Sequence, residues 1–270
     1  MVAIPTTTQS RRGLFARGPL RGFSPTYVAT DIRRVTRNRR AMIFSVALPT
    51  LMYIIFGSTQ GYSKDMIGHA NVAAYVMVHM AVYGAIIVTT TNAAAVALEQ
   101  QAGWTRTLRL TPLSPLGYIT TKAAVALAVA VLPLLLLSVV GVATGAKAPV
   151  GIWIGSVVLG WLGSAVFAAF GLALGSAFRS EAAMQAAGGI LTLLAFAGNV
   201  FVPLTGAMFT FSQFTPMYGV NAVATYPLTN GWSSQHEYAP LWVGLLNMVV
   251  WAIIFSVAAA YFYRRSTDRQ

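Results

Sequence analysis

From residue 41 onward the chain alternates long apolar runs with short polar breaks. Six runs stand out, at about 41–57, 72–98, 119–142, 152–178, 184–204 and 240–263. A bilayer's hydrocarbon core, ~30 Å thick, is crossed by about 20 helical residues, so each run predicts one transmembrane helix. The first is the shortest and contains Pro49, and is expected to draw a turn from the residues before it. Pro133, in the third, predicts a kink. No period-two alternation of the kind a β-barrel needs accompanies the runs. Ahead of them, Val28, Ile32 and Val35 recur at helical spacing while Arg33, Arg34 and Arg37 fall mostly outside that stripe. Ser24 followed by Pro25 is a helix start. Residues 24–40 therefore predict an amphipathic interfacial helix with its basic side chains toward acidic headgroups. A solvated basic arm is the plainer alternative. Residues 1–23, with scattered Gly, Pro and Arg, read as a mobile basic tail.

Composition sharpens this picture. Hydrophobic residues make up 56% of the 270 and charged ones only 9%, against about a quarter charged in a soluble domain. So few charges cannot cover a water-facing surface, and so many apolar residues exclude a disordered chain. The fold class is an all-α integral membrane protein with one six-span domain at 41–265 and a short tail at 266–270.

The formal net charge of +12 first suggests nucleic acid, acidic lipid or topology. Sixteen of the eighteen Lys and Arg fall before the first run, between runs two and three or at the start of the third, between four and five, or after the sixth. Only Lys64 and Lys147 fall on the other face. Basic residues are retained on the cytoplasmic side, so both termini are expected in the cytoplasm, and the charge excess is a topology signal. Nucleic-acid binding drops out. The long basic head and the lack of a small-residue cleavage site after Gly57 mark the first run as a retained helix.

The chemistry of catalysis is missing from the sequence. There is no cysteine, so disulfides and thiolate chemistry are excluded. His69, His79 and His236 lack metal-ligand spacing, and neither a P-loop nor a serine or zinc hydrolase motif occurs. No metal site or catalytic residue is assigned. His79 is the single titratable group deep in a run, read as a packing residue. The run centres hold no Asp, Glu or Arg of the kind that relays protons, so uphill movement would draw its energy from a partner.

The break between runs two and three is the informative one: ALEQQAGWTRTLRLTPLSPLGYITTK, Ala97 to Lys122. Gly103 allows a turn, Trp104 to Leu110 can form a short helix, and Pro112 and Pro115 end it. This pattern resembles the cytoplasmic segment of ABC-2 type permeases, the membrane subunits of ATP-binding-cassette exporters, and is closest to their drug-resistance branch. Glu99, Gly103, Leu108, Thr111, Pro112, Leu113, Ser114 and Lys122 carry the resemblance, while Gln100 and Trp104 depart from it.

The resemblance implies that Glu99, Gly103, Trp104, Arg106, Leu108, Arg109 and Pro112 form or bracket a coupling helix against an ATPase subunit. Residues 24–40, with Val28, Ile32, Arg33, Val35 and Arg37, would be the connecting helix bordering the same subunit. The long segment before the last run would be re-entrant, with Phe209, Phe211, Phe214 and Tyr218 as a candidate outer gate; simple interfacial anchoring of those aromatics is the alternative. Partners would be two copies of a P-loop ATPase and a second permease, identical or not, in the plasma membrane. No cofactor is expected on this chain; ATP and Mg belong to the ATPase. The cargo would be a hydrophobic or amphipathic drug, natural product or lipid. Alternatives are a polysaccharide- or glycolipid-exporting permease, a secondary carrier, and a membrane anchor or sensor without transport. Paired small residues at Gly141/Gly145, Gly151/Gly155 and Gly171/Gly175 offer close helix contacts within or between chains.

Overall fold

The structure, a computed structural model, describes residues 25–37, 39–99, 115–178 and 181–267. The tail at 1–23 and residues 100–114 lie outside that set. Helix α1 spans Pro25–Thr36, and α2, Arg39–Tyr53, continues into a π turn at Ile54–Ser58. A 3₁₀ turn at Gly61–Lys64 and an antiparallel hairpin, β1 Met66–Ile67 with β2 Ala70–Asn71, lead into α3, Val72–Glu99. Then come α4 (Pro115–Ala143), α5 (Val150–Ser164), α6 (Val166–Ala177) and α7 (Glu181–Ala197). Two short helices, α8 (Gly206–Ser212) and α9 (Pro216–Thr229), precede α10, Leu241–Thr267.

Four stretches are long and apolar enough to cross a membrane: 72–95, 121–143, 150–177 (α5 and α6 together) and 241–262. Ser45–Ser58 and Ala187–Ala197 are shorter apolar helices. The chain is thus a multi-pass helical membrane protein with four full-length spans among the described residues. The run expected at 184–204 leaves its helix seven residues early. Asn199 adopts the left-handed conformation (φ 59°) and the Val200 N–H donates to the Ala195 carbonyl at 3.0 Å, which is a Schellman stop with Asn in place of Gly. The Asn199 Oδ1 then accepts from the Leu204 N–H at 2.6 Å, fixing the exit.

Helix α3 is the central post, with 89% of its membrane-length window buried. Its sequence explains the position, because apolar or small residues occupy every side of it and an all-round apolar helix belongs inside. Small residues set the close approaches. A Cβ on Gly171 of α6 would lie 2.1 Å from the Thr90 carbonyl oxygen, and one on Gly160 of α5 would lie 2.3 Å from Val82. Gly84 receives Pro133 of α4 and the Ser45 carbonyl of α2. That carbonyl is the one Pro49 deprives of its helical donor, so the proline in the first run turns a backbone acceptor toward α3. At the α5–α6 junction the Thr89 hydroxyl donates to the Ser164 carbonyl at 3.1 Å, closing a backbone group that would otherwise be orphaned in apolar surroundings.

The outer faces are apolar. On α10, Trp242, Leu245, Val249, Ile253 and Val257 are exposed, as are Leu135 and Val139 on α4 and Ile154 and Leu162 on α5. Such continuous apolar faces suit lipid, not water. Helix α9 is buried for nearly its whole length among α3, α5 and α10. Asn247 of α10 pins the turn before it, donating to the Gln213 and Thr215 carbonyls at 2.7 and 2.9 Å and accepting from the Gly219 N–H.

Candidate functional site

Helix α1 lays Val28, Ile32 and Val35 against the main core, while Arg33 and Arg37 are exposed. Asp31 shares the buried stripe and is only 5% exposed. A carboxylate so placed needs ionic partners, and three other charged side chains converge on it. Lys122, 9% exposed, donates from Nζ to Asp31 Oδ2 at 2.8 Å and to Glu99 Oε2 at 3.0 Å. Arg34 meets Asp31 Oδ1 through Nε at 3.2 Å and pairs with Glu99. Two carboxylates and two cations cancel, which allows the group to sit at the edge of an apolar bundle.

The location gives the cluster its meaning. Glu99 is the last residue of α3, and Lys122 lies two turns into α4. Between them run residues 100–114. The cluster therefore ties α1 to both flanks of that connection. The opposite end of α3, ~42 Å away along a 28-residue helix, carries the hairpin and the α4–α5 turn. There Asn71 caps α3 through the Ala74 N–H at 3.0 Å and also bonds the Lys147 N–H and the Gly145 carbonyl. The segments carrying Lys64 and Lys147 are thus at the far end from Arg34 and Lys122.

Of the residues expected at the coupling helix, Glu99 is in this cluster, and Gly103, Trp104, Arg106, Leu108, Arg109 and Pro112 lie outside the described residues. Asp31 and Arg34 escaped the sequence reading as site residues. The available signal was a lone Asp within an apolar stripe of an arginine-rich segment. The four gate candidates do not converge. Phe209 and Tyr218 are buried and meet edge to face, 6.0 Å between centroids, whereas Phe211 and Phe214 point outward. Thr89 and Thr90 are wholly buried between α3 and the α5–α6 junction.

A multi-pass bundle with a charge cluster bracketing residues 100–114 defines the class, a helical membrane protein. The family model for the ABC-2 type transporter matches residues 26–226, well over half of the sequence, and the chain belongs to that family. The match includes all four charged residues of the cluster. No curated protein matches the chain. Members of the family work with an ATP-binding subunit, so the domain is a transporter permease and not a catalytic one.

Proposed function

We propose that this chain is the permease subunit of an exporter that moves hydrophobic or amphipathic compounds out across the plasma membrane. A separate P-loop ATPase, which holds ATP and Mg, supplies the energy; two ATPase copies and a second permease complete the complex. The observation that carries this reading is the Asp31–Arg34–Glu99–Lys122 cluster. It joins the two ends of residues 100–114 to α1, so a push on the connection reaches the central helix directly.

In this reading Trp104, Arg106, Leu108 and Arg109 contact the ATPase, whose closure on ATP displaces the connection, with Glu99 and Lys122 as the transmitting ends. The excess of basic residues flanking that end supports a reading with both termini in the cytoplasm and the hairpin end outward. Apolar helix surfaces and a neutral bundle interior suit an uncharged or weakly charged amphiphile better than a polyanion.

The test is co-purification with the ATPase after replacing Leu108 by Ala and Arg109 by Glu. Loss of association and of substrate-stimulated ATP hydrolysis is expected. Unchanged values for both would sink the coupling assignment.

A further inference from the structure

At the hairpin end, a cavity of about 540 Å³ opens between the 3₁₀ turn and hairpin, the start of α3, the 199–203 exit and residues 234–236. Its size falls in the range of small-molecule sites, ~300–1,000 Å³. Its chemistry is uneven in an informative way. Most of the wall is apolar or aromatic, with Phe56, Val76, Phe201 and Val202 among it. Among the described residues the wall carries one carboxylate, Asp65, and no Lys or Arg; His79 and His236 also line it. His79 donates from Nδ1 to the Tyr75 carbonyl at 3.1 Å, so in the neutral ring Nε2 is left as an acceptor. The wall therefore offers one negative charge and the His79 acceptor against aromatic surface.

The scaffold holds the backbone at Asp65, whose side chain is exposed. Its N–H donates to the Tyr62 carbonyl at 3.0 Å and its carbonyl accepts from the Val72 N–H at 2.9 Å. The hairpin tip is tied to the end of α9 through the His69 N–H and the Leu228 carbonyl, at 2.8 Å. The opposite wall is set by the Asn199 stop described above. Such pre-ordering lowers the entropy cost of binding.

We infer that this cavity is a ligand site for a diffusible lipophilic amine, with the ammonium at the Asp65 carboxylate and the apolar body against Phe56 and Phe201. Aromatic faces and a carboxylate both attract a cation, and among the described residues a phosphate or carboxylate ligand would meet no Lys or Arg, only the imidazoles of His79 and His236. The inference deepens the export reading, and it rests on that reading for its place in transport, though binding is measured without it.

The experiment uses the full chain in phosphatidylcholine–phosphatidylglycerol nanodiscs, with rhodamine 6G as the cationic probe and fluorescein as the anionic one. Fluorescence anisotropy, referenced to empty discs, should show saturable rhodamine binding. Asp65→Asn should weaken it about tenfold, the loss expected of one charge-assisted contact. Val202→Trp, at an exposed wall position, should abolish it by occupying the space. Absence of saturable rhodamine binding, wild-type affinity in both variants, equal affinity for fluorescein, or displacement by phosphatidylethanolamine overturns the assignment. The two readings fail separately. ATP-driven export with an unchanged KM in both variants removes the site and leaves the exporter. Asp65-dependent binding without ATP-driven movement removes the exporter and leaves the site.

Discussion

Replacing Lys122 with Met isolates what the charge cluster contributes. The substitution keeps the aliphatic volume and deletes the ammonium group that bridges Asp31 and Glu99. Asp31, 5% exposed, is left with Arg34, whose side chain is 63% exposed and whose field is therefore screened. Removing one partner of a buried pair costs about 3–5 kcal/mol because the remaining charge is stranded. Arg34 still offsets part of that, so the expected loss is about 2–3 kcal/mol. In the double variant Asp31→Asn/Lys122→Met no charge is stranded, and the remaining Arg34–Glu99 pair is neutral. Its stability should return to within about 1 kcal/mol of wild type. Unfolding in mixed dodecylmaltoside–SDS micelles, followed by tryptophan fluorescence, gives the four corners of the cycle. If Lys122→Met alone is as stable as wild type, or the two single losses simply add in the double, the cluster is a surface decoration and the argument fails.

Gly171→Val places a side chain on the Thr90 backbone and should destabilise by about 3 kcal/mol or more, seen as loss of the monodisperse peak on size-exclusion chromatography. Gly151→Val, where a Cβ meets nothing within 4 Å, should change stability by less than about 0.5 kcal/mol. Asn71→Ala removes the α3 cap and leaves the Lys147 N–H and Gly145 carbonyl without this partner. A loss of about 2–3 kcal/mol is expected in the same micellar titration. The cysteine-free sequence makes orientation directly measurable. In intact cells Lys64→Cys should react with an impermeant maleimide, and Arg265→Cys only after lysis; the reverse pattern would invert the topology.

The spans were legible where composition alone decides. The runs at 72–98 and 119–142 each fall within one long helix, and 240–263 does so but for Pro240, because some twenty consecutive apolar residues leave the backbone no other way to satisfy its hydrogen bonds. The stripe Val28–Ile32–Val35 was equally readable, since helical period is a local property. The end of the fifth run was not. Hydropathy continues through Val200, Phe201 and Val202, and only the left-handed Asn199 stops the helix. The charge cluster was hidden for a different reason. Asp31 and Lys122 are 91 positions apart, and nothing local to either marks the other. The central position of α3 was written in its sequence as small and apolar residues on every side, a sign that is easily read as mere hydrophobicity. The cavity at the hairpin end depends on three segments far apart in sequence, and so on the packing itself.

The central claim is that a separate ATPase drives this bundle through the connection between α3 and α4. Inverted membrane vesicles holding the chain together with its ATP-binding subunit test it most directly, with uptake of rhodamine 6G as the readout. ATP should drive accumulation that vanishes when a nonhydrolysable analogue replaces it and persists when the proton gradient is collapsed. Accumulation powered by a proton gradient in vesicles that lack the ATP-binding subunit would contradict the account.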